Sequence, residues 1–192
     1  MERPVGNGSR LDSQGMDASQ AKYRFGSPSR VTPEAIGEPG KRTFRLILES
    51  GSASASLWME KEQLYQLAIY IQEINESLSD TDKEAGGTAP EPQWSGEVTN
   101  VEFKVGRMAL GHDGASKCFL LLAHDASAED EAENEGTATL SFWLTLAQGE
   151  ELSREALTVC AAGRPRCFLC SKPIDPDGHM CPRANGHGPV DF

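Results

Sequence analysis

Between Glu60 and Ser79 the apolar residues Leu64, Leu67, Ala68, Ile71, Ile74 and Leu78 recur every three or four positions. That spacing draws one apolar stripe along a helix of about five turns. Glu60 and Glu62 fall in its first turn, where carboxylates meet the positive end of the helix dipole, and Ser79-Asp80 closes it. Upstream the period is shorter. Arg42-Thr-Phe-Arg-Leu-Ile-Leu48 has strand character, Glu49-Ser-Gly-Ser52 reads as a turn, and Ala53-Ser-Ala-Ser-Leu-Trp58 alternates small or apolar with polar residues. The three segments predict a hairpin.

The second part of the chain has the same grammar. Val98 to Leu110 reads as extended, Lys117 to His124 contains the strand-like run Cys118-Phe-Leu-Leu-Leu, and Thr137-Ala-Thr-Leu-Ser-Phe-Trp143 alternates again. Thr145 and Gln148 have the spacing of a capping box ahead of a second helix, which runs to about Ala162 with Gly163 just past its end. Asp125 to Gly136 carries Glu129, Asp130, Glu131, Glu133 and Glu135. It lacks the ligand spacing and central glycine of a calcium loop, so it reads as a solvated acidic loop. Residues 1–30 show neither period and read as a disordered segment, with order beginning near Val31 and Pro33; residues 80–97 read as a polar linker rich in Gly and Pro.

Three stretches correspond between the halves, in the same order. Ile36-Gly37-Glu-Pro-Gly40 matches Leu110-Gly111-His-Asp-Gly114, Ser52 to Trp58 matches Thr137 to Trp143, and Trp58, Gln63 and Leu67 match Trp143, Gln148 and Leu152. An internal repeat is the expectation. Half of such a unit buries too little to be stable by itself. The expected fold is therefore α+β: duplicated strand-strand-strand-helix halves, 31–79 and 98–162, share a two-layer sheet/helix domain with pseudo-two-fold symmetry. Trp58 and Trp143 sit at the same strand-to-helix corner of each half, either as core anchors or beside a groove where the halves meet.

Composition narrows the functional classes. A chain of 192 residues with net charge −11 approaches a nucleic-acid duplex or an anionic bilayer against repulsion. It has no run of eighteen apolar residues, and Met1 to Arg30 lacks the apolar centre of a signal peptide. The five cysteines are odd in number, and three crowd the C-terminal tail. A reducing cytoplasm that keeps thiolates for metal fits better than a disulfide framework.

That tail, residues 163–192, carries the clearest chemistry. Cys167-x2-Cys170 lets one tight turn present two thiolates to an ion, and Cys181-Pro182 is placed like the start of a second turn in a zinc ribbon. Ala184 stands where a fourth cysteine would complete that ribbon, so the fourth ligand has to be a histidine. His179, two residues before Cys181, projects to the same side in an extended segment and is preferred; His187, able to fold back after Asn185-Gly186, is the alternative. Either choice gives a closed Cys3His site holding one structural zinc ion per chain, with Arg164, Arg166 and Arg183 near enough to offset its charge. Cys118 and Cys160 fall in predicted elements and are not expected as ligands.

Several segments carry a resemblance: Gly37 to Phe44, Glu60-Lys-Glu-Gln63, Phe103 to Leu110, and above all Ala162 to Cys170 with Asp175 to Gly186. Over about Ile36 to His187 the chain resembles the bacterial family known as domain of unknown function 3090. Ser171 departs from the glycine expected after a zinc-binding turn. The resemblance implies no assigned activity. It implies an accessory or interaction role beside two kinds of neighbour, a phosphatase-like protein of the histidine type and a kinase-like protein related to the phosphoinositide kinases.

A zinc-stabilised, non-enzymatic module that binds a protein partner is the leading functional expectation. An enzyme would need a nucleophile or base in a cleft, and His112 and His124, each followed by an aspartate (Asp113, Asp125), are the histidines outside the tail. A nucleic-acid role would rest on Arg164, Arg166, Lys172 and Arg183, which Asp175, Asp177 and Asp191 nearly cancel.

Overall fold

A computed structural model of the chain describes residues 16–38, 40–84, 86–127, 138–163, 167–172, 174 and 178–183. The strands are β1 (Tyr23–Arg24), β2 (Arg30–Ile36), β3 (Thr43–Ser50), β4 (Ala53–Met59), β5 (Asn100–Asp113), β6 (Cys118–Asp125) and β7 (Leu140–Thr145). The helices are α1 (Lys61–Ser77), α2 (Asp80–Glu84) and α3 (Leu146–Ala161). One seven-stranded sheet has the order β1-β7-β6-β5-β4-β3-β2. The fold is mixed α+β.

Two antiparallel runs, β2-β3-β4 and β5-β6-β7, are each followed directly by a long helix, and they meet where β4 pairs in parallel with β5. The 14-residue β5 serves both runs. Its first part, Asn100–Lys104, pairs with Ser54–Trp58; beyond an irregularity between Val105 and Arg107, its remainder pairs antiparallel with β6. The segment containing β1 and β2 divides its work the same way. Tyr23 and Arg24 pair in parallel with β7, and Arg30–Ile36 pairs antiparallel with β3.

That division forces curvature. The chain between Arg24 and Arg30 can span at most ~20 Å, whereas six strand spacings laid flat cover ~29 Å. The sheet must therefore curl until its two ends approach. The joint is visible in two backbone hydrogen bonds: Trp143 N–H donates to the Gly26 carbonyl, and Ser29 N–H to that of Glu49. Gly26 turns this corner at φ 59°, and a Cβ there would strike the Pro92 carbonyl.

Alternation decides which side of the strands is dry. Phe44, Leu46 and Leu48 of β3, Ala55 and Leu57 of β4, Phe103 of β5, Phe119 and Leu121 of β6 and Phe142 of β7 all join one core with Leu64, Leu67 and Ile71 of α1 and Leu152 and Ala156 of α3. Both long helices thus cover the same face. They touch each other at Ser153, whose buried hydroxyl donates to the Ala68 carbonyl. Each helix is also tied to the first strand of the other run by its capping glutamine. Gln63 Nε2 donates to the carbonyls of Val105 and Gly106, and Gln148 Nε2 to that of Pro28.

Four expectations are corrected. Residues 16–30 do not lie outside the folded domain: Phe25 is fully buried, Tyr23 and Arg24 extend the sheet, and Ala18 and Ala21 pack on Leu120, Leu122 and Trp143. Residues 1–15 are outside the described residues. The polar stretch 80–97 contains α2, and its Trp94 stacks on Phe25 with ring centroids 6.0 Å apart. Gly37 and Gly111 do not correspond: Gly37 follows the end of β2 at φ 105°, while Gly111 is paired with Leu120 within β5. Gly114, just beyond β5, holds the place equivalent to Gly37. Finally, Trp58 is no core anchor. It points away from the helices, beneath the Arg45 guanidinium at 5.1 Å, and its Nε1 donates to Glu102. Trp143 faces the same way but is covered, because the Ala18–Ala21 segment lies over it. Of the acidic loop, residues 128–137 are outside the described residues.

A candidate metal centre in the C-terminal knuckle

The second helix ends at Ala161, and Arg42 holds its C-terminus by donating from Nη1 to the Ala162 carbonyl. Cys167 then opens a tight turn. Ser171 N–H donates to the Cys167 carbonyl and Cys167 N–H to that of Lys172, each at 2.8 Å. This arrangement aims the amides of the turn at one sulfur and brings Cys167 and Cys170 to the same side. Ser171 takes φ 60° to close the turn, a left-handed conformation that glycine adopts without a Cβ penalty. The departure from the expected glycine is therefore accommodated by a serine in a glycine-like conformation.

The second arm approaches from the other side. Arg183 Nη1 donates to the Leu169 carbonyl at 3.1 Å, clamping the arm to the first turn. His179 and Cys181 then face Cys167 and Cys170. The Sγ atoms of Cys167 and Cys181 are 3.7 Å apart, and Cys170 Sγ lies 3.9 Å from His179 Nε2. All four ligand atoms fall within 4.8 Å of one another. A tetrahedral ion with arms of ~2.3 Å holds its sulfurs about 3.8 Å apart, so the set has the right size for one ion. The sulfur separation is far too long for a disulfide bond of ~2.05 Å, and all five cysteines are free.

Electrostatics support the same use. Burial works against charge on Cys167, yet the N–H groups of Cys170 and Leu169, with the His179 and Cys181 side chains, outweigh it and bring the thiol down to about 6. Cys181 moves the other way: burial raises it, and the neighbouring sulfurs of Cys167 and Cys170 raise it further. Thiolates this close repel one another, and a bound dication lets all three ionise.

His187, the alternative fourth ligand, is outside the described residues, as are Arg164 and Arg166; the described ligand set is complete with His179. Cys118 and Cys160 are buried in β6 and α3, where burial pushes both thiols up.

The residues considered for catalysis do not converge. His112 faces Phe119 across the β5–β6 pair and His124 faces Arg107, five residues further along β6, or about 17 Å. Asp113 accepts from Ser116 N–H and Asp125 from Ser127 N–H, so both carboxylates cap turns. Sequence reasoning missed Phe168 and Met180, which stand 72% and 82% exposed within the knuckle. The available signal was their position: large apolar residues between ligands, in a tail with no core to join.

No described helix is long and apolar enough to cross a membrane. Searches of curated proteins and of solved structures return no match. A family model described as "Protein of unknown function (DUF3090)" matches residues 23–181, most of the chain and all four candidate ligands, and the chain belongs to that family.

Proposed function

We propose that this chain is a zinc-stabilised, non-enzymatic module that binds a protein partner. The observation that carries the reading is the closed donor set of Cys167, Cys170, His179 and Cys181. Three thiolates and an imidazole in tetrahedral array suit zinc, and four protein ligands leave no coordination position for a substrate or a reactive water. The ion's work is then to hold two short arms that contribute nothing to the sheet-helix core. Reduced thiols of this kind suit a cytoplasmic setting. The partner we favour is the phosphatase-like or the kinase-like neighbour that the family resemblance suggests.

The two strand-strand-strand-helix runs are, on this reading, a duplication. Several paired features support it. Both helices open on a capping box, Glu60 with Gln63 and Thr145 with Gln148. Both capping glutamines reach the opposite run, and both long first strands split their pairing between a parallel and an antiparallel neighbour.

Elemental analysis tests the metal. Protein prepared without chelator or affinity-column metal should carry about one zinc per chain, and Cys167→Ser, Cys170→Ser, Cys181→Ser and His179→Ala should each lose most of it. Zinc-free wild-type protein overturns the assignment. A co-purification that enriches no protein across several salt concentrations weighs against the interaction role.

A further inference from the structure

The knuckle exposes more apolar surface than a metal site needs. Phe168 and Met180 are 72% and 82% exposed; the next most exposed large apolar side chain, Tyr70, reaches 53%. Each is one residue from a ligand, so the ion that fixes Cys167 and Cys181 also fixes the backbone that presents them. Neither has a core within reach to enter, because no knuckle residue belongs to either apolar cluster of the body. Cations flank the pair. The Arg183 guanidinium is bonded to the carbonyl of Leu169, next to Phe168, and Lys172 lies across the turn from Cys167. Both side chains are exposed, and neither forms an ion pair among the described residues. In a chain of net charge −11 this is a local reversal of sign.

We infer that Phe168 and Met180, with Lys172 and Arg183 beside them, form the docking surface of the module, and that its partner is a protein segment offering apolar side chains flanked by carboxylates. The inference deepens the interaction reading above and rests on it. Apolar burial supplies the affinity: a Phe and a Met side chain largely removed from water dominate a small interface. The cations select an acidic rim and speed encounter. A single-stranded nucleic acid fits the same surface less well. Met180 offers no ring to stack on a base, and the acidic body repels a polyphosphate chain over its whole length.

The probe is a random peptide display library presented to the full-length protein carrying its zinc, with a mixed-sequence single-stranded oligonucleotide as the second arm. Enriched peptides should combine Asp or Glu with aliphatic or aromatic residues. Their binding, read by fluorescence anisotropy on synthetic copies, should weaken at least about tenfold in Phe168→Ser and in Met180→Ser. Lys172→Glu with Arg183→Glu should weaken it too and flatten its salt dependence. Zinc content and thermal unfolding of the Phe168 and Met180 variants should match wild type, since neither side chain is a ligand or part of the core. A library that yields no binder, peptides that bind the Phe168 variant as well as wild type, or Phe168-dependent binding of the oligonucleotide alone overturns the proposal. Zinc absent from wild-type protein that still binds peptide through Phe168 would instead fault the metal assignment and leave the docking surface standing.

Discussion

His112 shows what a single buried ring does to the pH response of the molecule. Its side chain meets Phe119 edge to face, and its Nε2 is buried without a hydrogen-bond partner. Burial lowers its pKa; the Asp82 carboxylate works against that shift and Lys117 adds to it, while Asp113 opposes it. The imidazole is therefore held neutral in the fold, whereas in the unfolded chain it takes a proton near pH 6.5. Between the lowered folded value and 6.5 the unfolded state binds more protons, so stability is intact above about pH 6.5 and falls as the pH drops below it. The urea midpoint should accordingly be lower at pH 5.5 than at pH 7.5. His112→Phe should remove part of that difference, since a phenyl ring in the same place has no proton to gain. Equal pH dependence in the two proteins would show that the imidazole is not held neutral.

Elements were legible where their own period carried them. The stripe from Leu64 to Ile74 marked α1, and the Thr145–Gln148 pair marked the start of α3, because those signals are local. The four ligands were equally legible, since cysteine and histidine seldom crowd a short tail for any other purpose. Tyr23, Phe25 and Trp94 were not. Each is an isolated aromatic in a polar stretch, and only the meeting of the distant segments 23–25 and 94 makes them core. Gly149 is a second case of meaning supplied by packing. In the first turns of a helix a glycine reads as a weakness worth ~1 kcal/mol against alanine. Here its missing side chain makes room for Phe119: an added Cβ would lie 2.5 Å from that ring, which is fully buried. Gly149→Ala should therefore destabilise despite the better helix propensity. Overpacking of this kind costs ~1–3 kcal/mol, or a melting temperature lower by roughly 3–10 °C in a domain of this size. A higher melting temperature in the variant would mean that the ring moves aside freely.

At the scale of the whole molecule, body and knuckle answer to different forces. The body is held by an apolar core shared among six strands and two helices, and that core includes no residue beyond Cys160. The knuckle has few apolar residues to bury; Cys167 is shut from solvent by its turn, and Ile174 is its one buried aliphatic side chain among the described residues. Its shape rests on hydrogen bonds within the turn, on the Arg183 clamp and, in the proposed function, on the ion. Stripping the zinc with a strong chelator should therefore separate the two parts. Proteolysis should begin to cut between about residues 163 and 183, while the fragment that survives retains the body's far-ultraviolet circular dichroism and unfolds within about 3 °C of the untreated protein. The body's helices, tied to each other at Ser153 and to the strands through Gln63 and Gln148, have no reason to follow. The linkage runs in one direction only. Unfolding the body frees Ala162 from Arg42 and removes the platform from which the knuckle springs, so denaturant that melts the core should release zinc as well. If chelation instead lowered the melting temperature of the body by ten degrees or more, the ion would be part of the core's stability, and the division drawn between body and knuckle would be wrong.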